Sequence, residues 1–150
     1  MSPPVIPNAK PPWNYHESIN QKGEPVVSYF LVGANFSKKT QANLDRTLDH
    51  LRDQPKSNWS RPMASPLGDN IYVIRFKDVT GMQLRLFGHF HEPHTAFVLT
   101  LTGYEKDDQY VPPDYLQQAR TFRNRCNDDF QSRTQPYAQR CRLCQQPSAR

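Results

Sequence analysis

Between Ile71 and Tyr104 the chain passes through three short runs rich in β-branched and aromatic residues, each bounded by turn chemistry, and this pattern leaves few folds open. In the first run, alternation puts Tyr72, Ile74 and Phe76 on one face and Ile71, Val73, Arg75 and Lys77 on the other. Asp78-Val79-Thr80-Gly81 supplies a turn, and the second run sets Leu84, Leu86 and Gly88 against Gln83, Arg85, Phe87 and His89. The third, Ala96 to Tyr104, sets Phe97, Leu99 and Leu101 against Val98, Thr100 and Thr102. An antiparallel three-stranded meander follows. If the apolar faces meet, Phe76 lies opposite Leu84 and Ile74 opposite Leu86, so Arg75 falls directly across from Arg85 on an open face, with Thr102 beside Arg85.

Around this meander the chain reads as one α+β domain with an arm and a tail. Residues 1–25 hold Pro3, Pro4, Pro7, Pro11 and Pro12 and read as a Pro-rich extended arm. The domain spans 26–133. It opens with Val26 to Val32, a β-branched and aromatic run expected to form a buried strand. Ser37 or Thr40 then caps a helix with Leu44, Leu48 and Leu51 on one stripe, closed by Pro55. From Gln54 to Asn70 a loop with one helical turn is expected, anchored by Trp59 and Met63. Pro112 or Pro113 starts a last helix that packs through Leu116, Ala119 and Phe122. Residues 134–150 form a basic, Cys-containing tail.

The net charge of +5 is less informative than where it lies. Residues 26–133 carry 14 Lys and Arg against 12 Asp and Glu, so nucleic-acid recognition has to rest on a local patch rather than on a global field. Three cysteines, Cys126, Cys141 and Cys144, make no even-numbered disulfide framework and suit a reducing compartment. No apolar run is long enough to span a bilayer, which points to a cytoplasmic protein with no membrane partner.

The best chemical site is the face carrying Arg75 and Arg85, with Lys77, Gln83, His89 and Thr102 nearby. Guanidinium groups hold phosphate oxygens through paired donors and stabilise developing negative charge. His89, His91 and Lys106 are candidates for proton transfer. The competing reading is that the two arginines pair with Glu92, Glu105 or Asp107 and simply face solvent. His89-Phe90-His91-Glu92-Pro93-His94 has the composition of a metal box, but a histidine-rich hairpin tip explains it better, and no metal or cofactor is expected. Cys141-Arg142-Leu143-Cys144 lacks the partners of a zinc or redox site. Trp13 and Tyr15 either stack on a partner or pin the arm to its own domain. Arg120, Arg123 and Arg125 either contact RNA or form a solvated helix face.

Tyr72-Val73-Ile74-Arg75, Leu84-Arg85-Leu86-Phe87, Thr102-Gly103-Tyr104-Glu105-Lys106 and Pro112 through Ala119 stand in the order found in RelE/ParE-superfamily toxins of type II toxin–antitoxin systems, and this chain resembles their HigB-like phage-derived branch over about a third of its length. The resemblance implies an N-terminal strand and helical segment, the antiparallel meander and a C-terminal helix. It implies a ribosome-dependent, metal-independent mRNA endoribonuclease, with Arg75, Arg85 and Lys106 on RNA phosphate, Lys77 adding to the RNA-binding face, and a cognate helix-turn-helix antitoxin as partner. Val73 stands where relatives carry Glu and Thr102 where they carry His, while Asp107 and Asp108 follow Lys106 in place of a second lysine. Two alternatives stay open: a non-catalytic toxin of the same fold acting on a protein target such as DNA gyrase, and a degenerate phage or mobile-element interaction module.

Overall fold

A computed structural model describes residues 9–34 and 37–137, the side chains of 31–34 excepted. The elements run β1 (Asn14–Ser18), α1 (Val26–Ala34), α2 (Lys38–Arg52), β2 (Ala64–Gly68), β3 (Ile71–Lys77), β4 (Gln83–His91), β5 (Ala96–Lys106), β6 (Gln109–Val111), α3 (Tyr115–Asp128), α4 (Phe130–Arg133) and β7 (Thr134–Pro136). The fold is α+β, built on a mixed seven-stranded sheet in the order β2-β3-β4-β5-β1-β7, with β6 also paired to β5. It is a larger sheet than a three-stranded meander, because strands were added at both edges.

Three of these additions correct the sequence reading directly. Asn14–Ser18, expected in an extended arm, is a strand paired parallel to β5 with Tyr15 beside Phe97 and Glu17 beside Leu99. The aromatics of the expected arm are core: Trp13, just before the strand, and Tyr15 within it are buried, Trp13 Nε1 donates to the Gln54 carbonyl at 2.8 Å, and the Tyr15 hydroxyl donates to the Leu48 carbonyl at 2.6 Å. Val26 to Val32, expected as the first strand, is instead part of helix α1. The buried Glu17 carboxylate accepts from Ser28 N at 2.8 Å and Ser28 Oγ at 2.5 Å, satisfying donors in the first turn of a helix. In the segment 54–70, one 3-10 turn does occur at Lys56–Asn58, but Ala64–Gly68 is a strand pairing with β3 rather than loop. At the other end, Thr134–Pro136 pairs with β1, so the first residues of the expected tail belong to the sheet. Residues 1–8 and 138–150, with Cys141 and Cys144, lie outside the described residues.

Helices cover both faces of the sheet. Leu44, Leu48 and Leu51 of α2 and Val27 of α1 pack with Ile74, Phe76, Leu84, Leu86, Phe90, Phe97 and Leu99, and Trp59 anchors the same core. Ser37 caps α2, its side chain accepting from Thr40 N at 3.1 Å. On the opposite face, Ala119 and Cys126 of α3 and Phe130 of α4 are buried where Ile71, Val73, Phe87, Ala96 and Val98 present their other set of side chains. The face expected to be open is therefore covered by α3 along part of its length, and near Arg75 and Arg85, whose side chains are themselves largely buried, it is bordered by Tyr110 and Glu105 instead. Among the described residues no helix is long and apolar enough to cross a membrane.

Candidate anion-binding site

The register of β3 on β4 places Phe76 opposite Leu84, Ile74 opposite Leu86 and Arg75 opposite Arg85, as the alternation of apolar residues requires. The next strand departs from simple alternation. Phe87 pairs with Leu101 but Gly88 pairs with Leu99, so Thr100 is an extra residue, a β-bulge whose hydroxyl donates to the Phe87 carbonyl at 3.0 Å. Beyond the bulge every side chain of β5 changes face. Thr102 comes opposite Leu86 and turns to the α2 side, where it lines a separate apolar cleft with Leu84 and Tyr104. Glu105 comes opposite Gln83, on the arginine face. The expected neighbour Thr102 is thus replaced by a carboxylate, and Lys106 is carried to the other side.

Glu105 joins the two arginines. Its Oε1 accepts from Arg85 Nη2 at 2.8 Å and Nε at 3.1 Å and from Arg75 Nη1 at 3.3 Å. Two cations directly across a strand pair repel, and a shared carboxylate offsets that repulsion. The guanidiniums are held from other directions too. Arg75 Nη2 donates to the Tyr110 hydroxyl at 2.7 Å and Ser65 Oγ at 3.0 Å, while Arg85 donates to the Leu84 carbonyl at 2.8 Å and Gln83 Oε1 at 2.7 Å. Hydrogen bonding from Arg85, then the charges of Arg85, Arg75 and Arg61, holds the Glu105 carboxyl below its ordinary value. Beside this cluster a cleft of about 330 Å³ is lined by Arg61, Pro62, Arg75, Phe76, Lys77, Gln83 and Arg85.

Tyr110 reaches Arg75 through the β5–β6 hairpin. Asp107 and Asp108 both have positive φ, 51° and 62°, in the two-residue connection between Lys106 and Gln109. This turn, which the sequence reading did not anticipate, is what brings Tyr110 opposite Glu105. Gly103 makes the approach of β6 feasible, because a Cβ there would meet the Val111 carbonyl.

No family model, curated protein or solved structure matches this chain. The chemistry of the site is therefore read from its own geometry. Arg75, Arg85, Lys77 and Gln83 are brought together; His89, His91, Thr102 and Lys106 are not. His89 is fully buried on the face covered by α3, neither ring nitrogen has a hydrogen-bond partner among the described residues, and burial, with smaller contributions from His91 and Arg123, pushes its pKa down to about 3. It is a neutral core residue at neutral pH. His91 stands six positions along β4 from Arg85, about 20 Å at the rise of a strand. There it stacks on Phe130 and His94, and Asn127 Oδ1 lies 3.3 Å from its Nδ1. Burial, then His94, lowers its pKa as well.

The remaining motifs resolve into structural contacts. Glu92 pairs with Lys56 rather than with the histidines, and no group of three or more metal-ligating side chains converges among the described residues. Arg120 and Arg123 reach Asp69 at 3.2 and 3.0 Å. Cys126 is buried, and desolvation raises its thiol to about 12. What sequence reasoning missed was Arg61, Ser65 and Tyr110, contributed by a loop, an edge strand and a hairpin with no periodic signature of their own.

Proposed function

We propose that this chain is a toxin domain of the RelE/ParE type, in its HigB-like branch, and that the face bearing Arg75 and Arg85 binds the backbone phosphate of mRNA and promotes its metal-independent cleavage on the ribosome. The observation that carries this reading is the direct pairing of Arg75 with Arg85 across β3 and β4, with Arg61 and Lys77 lining the adjoining cleft. The order of elements also supports it: a strand, two helices, a meander and a closing helix follow one another along the chain.

In this reading the 2′-oxygen attacks the adjacent phosphorus, the bond to the 5′-oxygen breaks, and the guanidiniums hold the non-bridging oxygens while charge accumulates on them. One proton leaves the 2′-hydroxyl and one is delivered to the departing 5′-oxygen. Tyr110, whose hydroxyl accepts from Arg75 Nη2, is better placed for proton transfer than His89, His91 or Lys106. A helix-turn-helix antitoxin that covers the basic face is the partner this reading implies.

A second reading is favoured by the same Glu105, which already occupies the arginines, and by the absence of histidine from the cleft lining. It is a non-catalytic toxin of the same type acting on a protein target such as DNA gyrase, or a degenerate interaction module. Purified protein added to a reconstituted translation reaction, with new mRNA 5′ ends mapped and the Arg75→Ala/Arg85→Ala variant as control, separates the two. Cuts that require both ribosomes and the arginines support the nuclease. Intact mRNA in the presence of folded protein moves the assignment to target binding.

A further inference from the structure

Resting on the phosphate-site reading, we infer that the cleft between Arg61, Lys77 and Gln83 is a subsite for one phosphodiester of single-stranded RNA, and that the diester enters by exchanging with the Glu105 carboxylate. Four cationic side chains, Arg61, Arg75, Lys77 and Arg85, line this cleft, and Glu105 is the anion bonded to its two arginines. The cluster therefore retains more positive charge than one carboxylate neutralises, and it attracts a further anion. All three bonds to Glu105 fall on Oε1, and Arg75 Nε is buried with no hydrogen-bond partner among the described residues, so donor capacity in the site is unspent.

The two sides of this ion pair differ in how firmly they are held. The Arg75 and Arg85 side chains are only 10% and 5% exposed and are fixed by Ser65, Tyr110, Gln83 and the Leu84 carbonyl. Glu105 is 21% exposed and lies two residues before the Asp107-Asp108 turn. The carboxylate turns toward solvent only as the incoming phosphate takes over its hydrogen bonds, while the guanidiniums stay where that phosphate needs them. Its two non-bridging oxygens match two guanidiniums that Glu105 serves with one. A cavity of about 330 Å³ accommodates a phosphate with part of its flanking sugars. Glu105 is thus an internal counter-ion that holds the arginines in place before RNA arrives and is released when it binds.

The test measures binding of the full chain to a short labelled 2′-O-methyl oligoribonucleotide, which keeps the diester but lacks the attacking hydroxyl. Glu105→Gln should bind on the order of tenfold more tightly than wild type. The slope of log K against log salt should steepen by about one. Arg61→Ala should remove much of the gain, and Arg75→Ala/Arg85→Ala all of it. Equal or weaker binding by Glu105→Gln, with the arginine variants still defective, would overturn the exchange and leave the phosphate-site reading intact. Wild-type affinity in the double arginine variant would overturn that reading itself. Inorganic phosphate competing as well as unlabelled oligoribonucleotide, mole for mole, would overturn the diester assignment in favour of a small-anion site. Should Glu105→Gln fold poorly, the wild type carries the test through the side-chain Nε–H resonance of Arg85: the oligoribonucleotide must shift it, and an unmoved signal counts against exchange.

Discussion

The two ends of β4 carry basic side chains on the same face and treat them in opposite ways. At the Arg85 end, positive charge is kept, because Glu105, Gln83 and the Leu84 carbonyl satisfy the guanidinium. At the His89 end, helix α3 closes over the sheet, and burial strips the imidazole of its proton instead. His91 and His16 follow the same direction, lowered first by burial and then by neighbouring histidines around Phe130. Similar residues by composition therefore yield one site able to hold an anion and one that is part of a core. What separates them is where α3 lies.

The largest expected effect comes at the junction of the two ends. Gly88 sits at the bulge, where a Cβ would meet the Val98 carbonyl and the Phe97 ring. Gly88→Ala should destabilise the domain by about 3 kcal/mol and disturb both ends together, as measured by denaturant melts. Loss at one end alone would show that they are mechanically independent.

Next in size is the arginine end. Glu105→Ala leaves two largely buried guanidiniums facing each other, at a cost of about 2 kcal/mol after allowance for the partial exposure of the carboxylate. Adding Arg85→Leu should recover part of that loss, because the repulsion disappears with the second cation; a fully additive double-mutant cycle would deny the coupling.

The pH dependence separates the ends in another way. As pH falls from 6.5 towards 3, the unfolded chain takes up a proton at His89 that the folded chain refuses, so stability declines across that window. His89→Leu removes no hydrogen bond among the described residues and should change stability at neutral pH by less than about 1 kcal/mol while flattening the decline. Glu105 acts lower: its contribution is present above the ordinary glutamate value of 4.5 and is lost as pH drops through its depressed folded value. Acid melts of wild type, His89→Leu and Glu105→Gln should therefore differ in different pH ranges. Identical curves would remove the distinction.

The smallest effect is expected at Lys106, which the bulge carries to the face opposite Glu105. Lys106→Ala should change affinity for an oligoribonucleotide less than about twofold, within the range of a screened surface charge. A loss as large as that of Arg75→Ala would return Lys106 to the site.

Strand parity and local capping were written in the residues themselves. The alternation in Ile71–Lys77 and Gln83–His91, with the requirement that apolar faces meet, was enough to set Arg75 against Arg85, and the Leu44, Leu48 and Leu51 stripe with Ser37 before it was enough for α2. These are short-range properties: the side-chain direction of each residue follows from its neighbours. Tertiary structure decided the rest. Val26 to Val32 has the composition of a strand, yet it is helix α1, its first turn held by the buried Glu17 carboxylate on β1. One extra residue at Thr100 reversed the face of everything after it, exchanging Thr102 for Glu105 beside the arginines. No periodicity in the sequence marks such a bulge, because its stability comes from a contact with the neighbouring strand. The sign of the charge at the centre of this site was settled by that pairing.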